Sequence, residues 1–262
     1  LRNGIRKQLP EVPAGQIIAE PAQRNTAPCL ALAARVIAQA DPNAVLGVFP
    51  ADHYITKPAR FRQFVRAALR AAQSGKLVTL GVEPRWPETG YGYLELPPEA
   101  KAGSLAPLPV KRFHEKPDLA TAQRFLQAGG FFWNAGMFFW RAGAFLAAVS
   151  EFLPNTAGLL EQLPPYGGRA FTRSLEAVYP QAENISVDFA VMEPASKRGE
   201  VISIPTDDIG WNDLGSWNAV YALNPQGALR TPALTHEAQR CLVDAPGKLV
   251  ALVGVQDLVV VD

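Results

Sequence analysis

Two aspartates in this 262-residue chain stand where a cation site belongs. Asp52, in Pro50-Ala51-Asp52-His53, follows the apolar run Ala44–Phe49. Asp213, in Trp211-Asn212-Asp213-Leu214-Gly215-Ser216-Trp217, follows the run Val201–Ile204 and a loop. Carboxylates at the carboxyl ends of strands project into the crevice where open α/β sheets bind ligands, and such oxygen donors suit a hard cation such as magnesium. Two of them, far apart in sequence, are able to share one ion. Taken singly, each has a plainer reading as a turn or helix-capping residue, with Asp213 capping a helix that begins near Leu214.

Three further clusters carry polar chemistry. Phe113-His114-Glu115-Lys116-Pro117 closes a strand, and Pro117 stops its pairing. Glu115 is an acceptor for sugar hydroxyls and Lys116 a cation for a phosphate, with a surface ion pair as the bland alternative. Glu88-Thr89-Gly90-Tyr91-Gly92-Tyr93 opens a strand, and its glycines permit close approach of backbone to a ligand or simply a tight turn. No helix follows it, so it is not a dinucleotide fingerprint. In Glu20-Pro21-Ala22-Gln23-Arg24-Asn25-Thr26-Ala27-Pro28 a strand passes into a helix whose first amides attract anions. Ordinary capping explains Asn25 and Thr26 there but leaves Arg24 unexplained, and Glu20 is free to read a base edge.

The elements that must position these residues follow from periodicity. Gln16–Ala19 is a short strand candidate, and a helix capped by Asn25 or Thr26 follows, with Pro28 in its first turn. Ala44–Phe49 has the texture of a strand buried on both faces. From Lys57 a helix gathers Phe61, Phe64, Val65, Ala68, Leu69 and Ala72 on one face, ends near Gly75, and turns Arg62, Arg66 and Arg70 to solvent. Leu77–Val82, Tyr91–Leu96, Val110–His114 and Phe131–Trp140 are further strands, and Asp118 caps a helix reaching Gly129. This alternation predicts an α/β fold with a Rossmann-like, mostly parallel mixed sheet flanked by helices over residues 1–225. Arg240–Asp244, Leu249–Val253 and Leu258–Val261 form a small all-β appendage over 226–262.

Composition narrows the function classes. Apolar residues are 48% and charged residues 19%, with a net charge of +1, so bulk electrostatics do not point to nucleic acid. No apolar run approaches the roughly 20 residues that cross a bilayer, and no signal core follows Leu1–Glu11, so a cytoplasmic protein off the membrane is expected. Cys29 and Cys241 have no ligand or disulfide spacing, and His53, His114 and His236 share no pattern. The chain begins at Leu1 and stops within a strand-like run, so it reads as part of a longer protein.

In order, these clusters resemble one family. Glu20-Pro21 through Arg24–Pro28, Pro50–His53, Thr89–Tyr93, Phe113–Pro117, Trp133-Asn134-Ala135-Gly136-Met137-Phe138, Ser186–Glu193 and Trp211–Trp217 resemble successive motifs of mannose-1-phosphate guanylyltransferase. Lys248–Asp262 is similar to the start of that family's C-terminal β-helical segment. The family's Gly-rich triphosphate loop is not in this sequence, so the resemblance implies that an N-terminal βα unit precedes Leu1. It implies GTP and mannose 1-phosphate as substrates and allows a homodimer or a fused isomerase module. By motif it implies Asp52 and Asp213 as magnesium ligands, Lys116 on the sugar phosphate, Glu115 and Asn134 on mannose hydroxyls, and the Gly92 backbone against the sugar. Glu20 and Arg24-Asn25-Thr26 would lie along the nucleotide. Guanine offers two adjacent donors, and a carboxylate at Glu20 is able to accept both. The alternatives are a glucose-1-phosphate uridylyl- or thymidylyltransferase and a non-catalytic paralogue that binds GDP-mannose.

Overall fold

The aromatic run Phe131–Arg141 forms an eleven-residue strand paired on both edges. Leu77–Val82, buried at every residue, lies along one edge; Tyr93–Glu95 and then Val45–Val48 lie along the other. The computed structural model describes residues 2–223 and 233–262. Among them the sheet has seven strands, running Leu108–Pro109, Val201–Thr206, Leu77–Val82, Phe131–Arg141, Tyr93–Glu95 and Arg112–His114, with Val45–Val48 as the branch. The α/β class and the mixed sheet flanked by helices are as the periodicity predicts.

Strand direction differs from the expectation of a mostly parallel sheet. Among the described strands of this sheet, Leu77–Val82 with Val201–Thr206 is the one parallel pair, and the other pairings are antiparallel. The reason is the long strand. Val45–Val48 and Leu77–Val82 are connected through the helix Pro58–Ala72 and run parallel to one another, as a crossover requires. They are not neighbours, however, because Phe131–Arg141 lies antiparallel between them. Val45–Val48 therefore has one described partner and is only partly covered, with Gly47 exposed, rather than buried on both faces. Gln16–Ala19 is not a strand either. A 3₁₀ turn at Ala14–Gln16 leads into an irregular segment whose Ile17 is buried, so packing covers its apolar side chains without a ladder.

The helices sit where their sequences place them. Asn25 caps Thr26–Ala38 by accepting from the Thr26 amide, with its own φ at 62°. Ala27, Ala31, Leu32 and Ala34 are buried, and this small-residue face packs on the helix Ala142–Phe152. Pro58–Ala72 buries Phe64, Ala67, Ala68 and Ala72 against the sheet while Arg62, Arg66 and Arg70 stay exposed. Asp118 accepts from the Thr121 amide at 2.7 Å, capping Leu119–Ala128. Trp140 stacks on Phe145 at 4.1 Å between ring centroids in the core.

The chain divides into two compact units, Leu1–Pro50 with Pro58–Ile209, and Ala51–Lys57 with Gly210–Asp262. The expected boundary between residues 225 and 226 falls outside the described residues. In the second unit, Tyr54–Ile55 pairs antiparallel with Trp211–Asn212. Its C-terminal strands pair in parallel, always with the same seventeen-residue offset: Ala233 with Val250, Gln239 with Gln256 and Leu242 with Val259. Left-handed residues recur at that offset, Glu237 with Gly254 and Arg240 with Asp257. A repeated coil stacked on itself is the geometry of a parallel β-helix. Cys241, Val243, Ala245 and Leu252 fill its interior, and Arg240 reaches Asp257 of the next coil with bonds of 2.6 and 2.7 Å.

Two glycines of the second unit test how tightly it is built. Gly210 has φ 65°, and a Cβ there would fall 1.6 Å from Thr56 Oγ1 and 3.2 Å from the Thr56 amide nitrogen. Gly247 has φ 79° with nothing within 4 Å. Gly247→Ala is expected to cost only the left-handed penalty of about 1–2 kcal/mol, and Gly210→Ala distinctly more. Urea titrations followed by Trp211 fluorescence measure both; equal losses would mean that the Thr56 contact does not constrain the turn.

Candidate functional site

The long strand does not run straight past Leu77–Val82. Its register shifts between Thr79 and Gly81, so that Ala135, Gly136 and Met137 face Leu80 alone. Gly136, at φ 64°, takes the left-handed turn this bulge needs. The motif Trp133-Asn134-Ala135-Gly136 is thus a bulge that interrupts an otherwise apolar strand at one polar side chain, Asn134.

The residues expected to hold a sugar phosphate come together around that bulge. The Asn134 amide donates to the Gly92 carbonyl at 2.8 Å. A Cβ on Gly92 would lie 2.5 Å from Glu115 Oε2 and 3.6 Å from Asn134 Cβ, so only glycine lets the two side chains close over this backbone. Glu115 and Lys116 follow the strand Arg112–His114, which pairs with Tyr93–Glu95. Lys116 is exposed and has φ 45°, a left-handed conformation that is uncommon for a residue with a side chain and marks functional sites. Burial pushes the Glu115 carboxyl up, Asp188 pushes it further, the Lys116 charge pulls it down and Glu193 raises it again. Asp188 was not singled out by sequence reasoning, although it lies within the Ser186–Glu193 motif. The one signal was an acid set among Val187, Phe189, Ala190 and Val191.

A second group in the same unit surrounds Glu20. The Tyr179 hydroxyl donates to Glu20 Oε1, and the Cys29 thiol beside it is pushed up to about 12 by burial and by the Glu20 charge. The Arg24 guanidinium donates to the Pro180 carbonyl. Thr26 Oγ1 accepts from the Val187 amide at 2.9 Å, and Ala27 donates to the Ile185 carbonyl at 3.2 Å. Arg24, Asn25 and Thr26, expected along a nucleotide, therefore have anchoring work inside the protein, and Thr26 ties the segment that carries Asp188.

The aspartates expected to bind metal both belong to the second unit. Asp52 lies exposed in the turn after Pro50, and Asp213 Oδ1 accepts from the Gly215 amide at 3.1 Å. The helix expected near Leu214 begins at Trp217 instead, and Ser216 Oγ caps it by accepting from the Ala219 amide at 3.1 Å. Asp213 is therefore released from the capping role. Both carboxylates act on His53. Burial lowers its pKa first, and Asp52 and then Asp213 raise it. Trp211 Nε1 donates to His53 Nδ1 at 3.0 Å, so the neutral ring carries its proton on Nε2. Among the described residues no three His, Cys, Asp or Glu side chains form a metal-sized cluster. Two carboxylates that share an electrostatic neighbour still fit magnesium, which is commonly held by one or two carboxylates with substrate phosphates.

With this geometry in view, the chain has its class. It belongs to the nucleotidyl transferase family, whose profile matches residues 5–228. Xanthan biosynthesis protein XanB of Xanthomonas campestris pv. campestris (strain B100) is 38% identical to it over 254 residues, covering 94% of this chain and 52% of its own length. Mannose-1-phosphate guanylyltransferase of Escherichia coli (strain K12) is 38% identical over 258 residues, with the same coverage of 94% and 52%. The chain thus spans about half the length of the curated relatives it matches. A solved structure described as mannose-1-phosphate geranyltransferase from Thermus thermophilus superposes with a TM-score of 0.78 at 27% identity, over 100% of this chain and 82% of that one. Among the described residues no helix is long and apolar enough to cross a membrane.

The electrostatics around Glu115 are testable by titration. Its folded pKa lies above the ordinary 4.5, so its neutral form favours the fold at low pH, and that contribution is lost as pH rises from 4.5 through the folded value. Asp188→Asn is expected to bring the Glu115 pKa down and Lys116→Ala to send it higher, as followed by the carboxyl carbon shift. No movement in either variant would mean that burial alone sets it.

Proposed function

We propose that this chain carries the catalytic part of a mannose-1-phosphate guanylyltransferase, moving GMP from GTP to mannose 1-phosphate with release of pyrophosphate. The observation that carries the reading is the Gly92, Glu115, Lys116 and Asn134 arrangement, found in a chain of the nucleotidyl transferase family. There an acceptor, a donor and a cation surround a backbone that only glycine leaves open. The name of the 38% identical Escherichia coli (strain K12) relative supplies the sugar and the base.

In the proposed reaction an oxygen of the sugar phosphate attacks the α-phosphorus of GTP. The bond from the α-phosphorus to the bridging oxygen breaks, and pyrophosphate leaves with that electron pair. Two polyanions must approach, and each unit pair at about 4 Å repels by about 1 kcal/mol in water and about 4 kcal/mol in a partly buried site. Lys116 offsets this repulsion at the sugar phosphate and aims its oxygen. Glu115 accepts from ring hydroxyls, Asn134 donates to one, and the Gly92 backbone lets the ring lie close. Asp52 and Asp213 would hold magnesium, which when bound neutralises phosphate charge and orients the triphosphate. Glu20 already accepts from the Tyr179 hydroxyl and lies against the Cys29 thiol, so it would read the base with what acceptor capacity those partners leave rather than with both oxygens free. Neither bond change calls for a side-chain nucleophile.

Kinetics of the full-length protein test the roles separately. Lys116→Ala is expected to raise the KM for mannose 1-phosphate about 10- to 150-fold through loss of a charge-assisted bond, with the KM for GTP nearly kept. Loss of GTP affinity alone would move Lys116 to the triphosphate. Asp213→Asn is expected to remove turnover while the fold persists, and full activity in that variant would exclude it as a ligand. Glu20→Gln is expected to lower kcat/KM for GTP about 5- to 150-fold more than for ATP or UTP. An equal fall for all three triphosphates would leave Glu20 a support of the Tyr179 segment only.

A further inference from the structure

Asn134 has an unusually complete set of partners for a residue facing a ligand. Its Oδ1 accepts from Thr79 Oγ1 at 3.3 Å and from the Gly136 amide at 3.2 Å, and its Nδ2 donates to Asp188 Oδ1 at 2.7 Å. An asparagine amide has two N–H donors, and reversing it would exchange them for acceptors. Here reversal would set the Asn134 NH₂ against the Gly136 N–H and leave an oxygen facing a carboxylate, while the Thr79 hydroxyl, which also has the Met137 carbonyl to donate to at 3.2 Å, suits either orientation. Among the described contacts, the second Nδ2 hydrogen is what remains for an incoming group.

Asp188 is the member of this set that needs explanation. It is a mostly buried carboxylate whose pKa burial raises, and the Asn134 bond, a backbone bond and the Lys116 charge offset that rise only in part. It starts a π-helical turn, Asp188–Met192, and such turns occur mostly at functional sites. The turn is fixed from outside where Thr26 Oγ1 accepts from the Val187 amide, and locally where Ala190 donates to the Ser186 carbonyl at 2.9 Å. Lys116 lies near enough to act on both Asp188 and Glu115.

We infer that Asp188 is a positioning residue for the sugar: it locks the Asn134 amide so that one N–H always faces the sugar-phosphate pocket. The role rests on the function proposed above and adds to it a residue that makes no bond to the sugar. An unlocked Asn134 would offer a donor or an acceptor with similar ease, and a hexose hydroxyl placed for one meets the wrong partner for part of the time. The effect falls on sugar-phosphate recognition and leaves nucleotide recognition alone.

Two substitutions and one spectrum test it in the full-length protein. Asp188→Ala removes the acceptor and is expected to raise the KM for mannose 1-phosphate by about 10- to 100-fold, with the KM for GTP within about twofold. Asp188→Asn keeps an oxygen for the Asn134 NH₂ and is expected to restore the KM to within about threefold of the parent. An Asn variant as impaired as the Ala variant would overturn the inference in favour of a charge role, and equal losses for both substrates would reduce Asp188 to a support of the fold. The Asn134 side-chain amide, identified by the signal that Asn134→Ser deletes, gives a readout independent of turnover. In the parent protein one hydrogen is expected to exchange slowly and the other to shift on addition of mannose 1-phosphate; rapid exchange of both would overturn the inference even if Asp188→Ala fails to fold. A parent protein without turnover on GTP and mannose 1-phosphate would defeat the proposed function, while the exchange of that amide would still decide the lock.

Discussion

A strand paired on both edges has no free backbone, and in Phe131–Arg141 nearly every side chain is also covered. Phe132, Trp133, Met137, Phe138, Phe139 and Trp140 are all buried, so this strand organises the core of its unit. A polar side chain in such a strand is unfavourable unless its hydrogen bonds are met. The bulge at Ala135–Gly136 and the partners Thr79, Gly136 and Asp188 meet them for Asn134. The same interruption that relieves the strand sets Asn134 against the Gly92 backbone, so sheet and candidate site share a single physical solution.

Charge gathers around that backbone. Asp188 and Glu193 raise the Glu115 carboxyl, and Lys116 is the cation that lowers both Glu115 and Asp188. A phosphate on Lys116 and hydroxyls on Glu115 would give each charge a partner at close range, where the partly desolvated setting strengthens the bond. The left-handed backbone of Lys116 fits this arrangement, since strain of this kind is retained where the geometry is needed.

The second unit solves a different problem. Short strands with little core of their own become stable by stacking, and the common seventeen-residue offset lets each coil use its predecessor as a template. Left-handed corners recur at Glu237 and Gly254 and at Arg240 and Asp257, so corner conformation repeats even where residue type does not. Arg240 then ties to Asp257 across the stack.

The local signals in the sequence were those with short reach. Helices with an apolar face and a cap, such as Pro58–Ala72 and the Asp118-capped Leu119–Ala128, needed nothing but spacing, because their hydrogen bonds close within the segment. Gly92, Glu115 and Lys116 stood out as candidates by type and place, whereas Asn134 entered through the resemblance of its motif. What pairs with what was decided only by tertiary structure. A strand's partner is set by distant residues, so Phe131–Arg141 entered between two strands that local order had joined, and the sheet became largely antiparallel among the described strands. For the same reason Asp188 and Tyr179 stayed hidden: an acid in an apolar run and an ordinary tyrosine acquire meaning from Asn134 and Glu20, far away in the chain. Sequence determined which groups were available, through local propensity and residue chemistry. The fold decided which of them met, because hydrogen bonds and desolvation act through space.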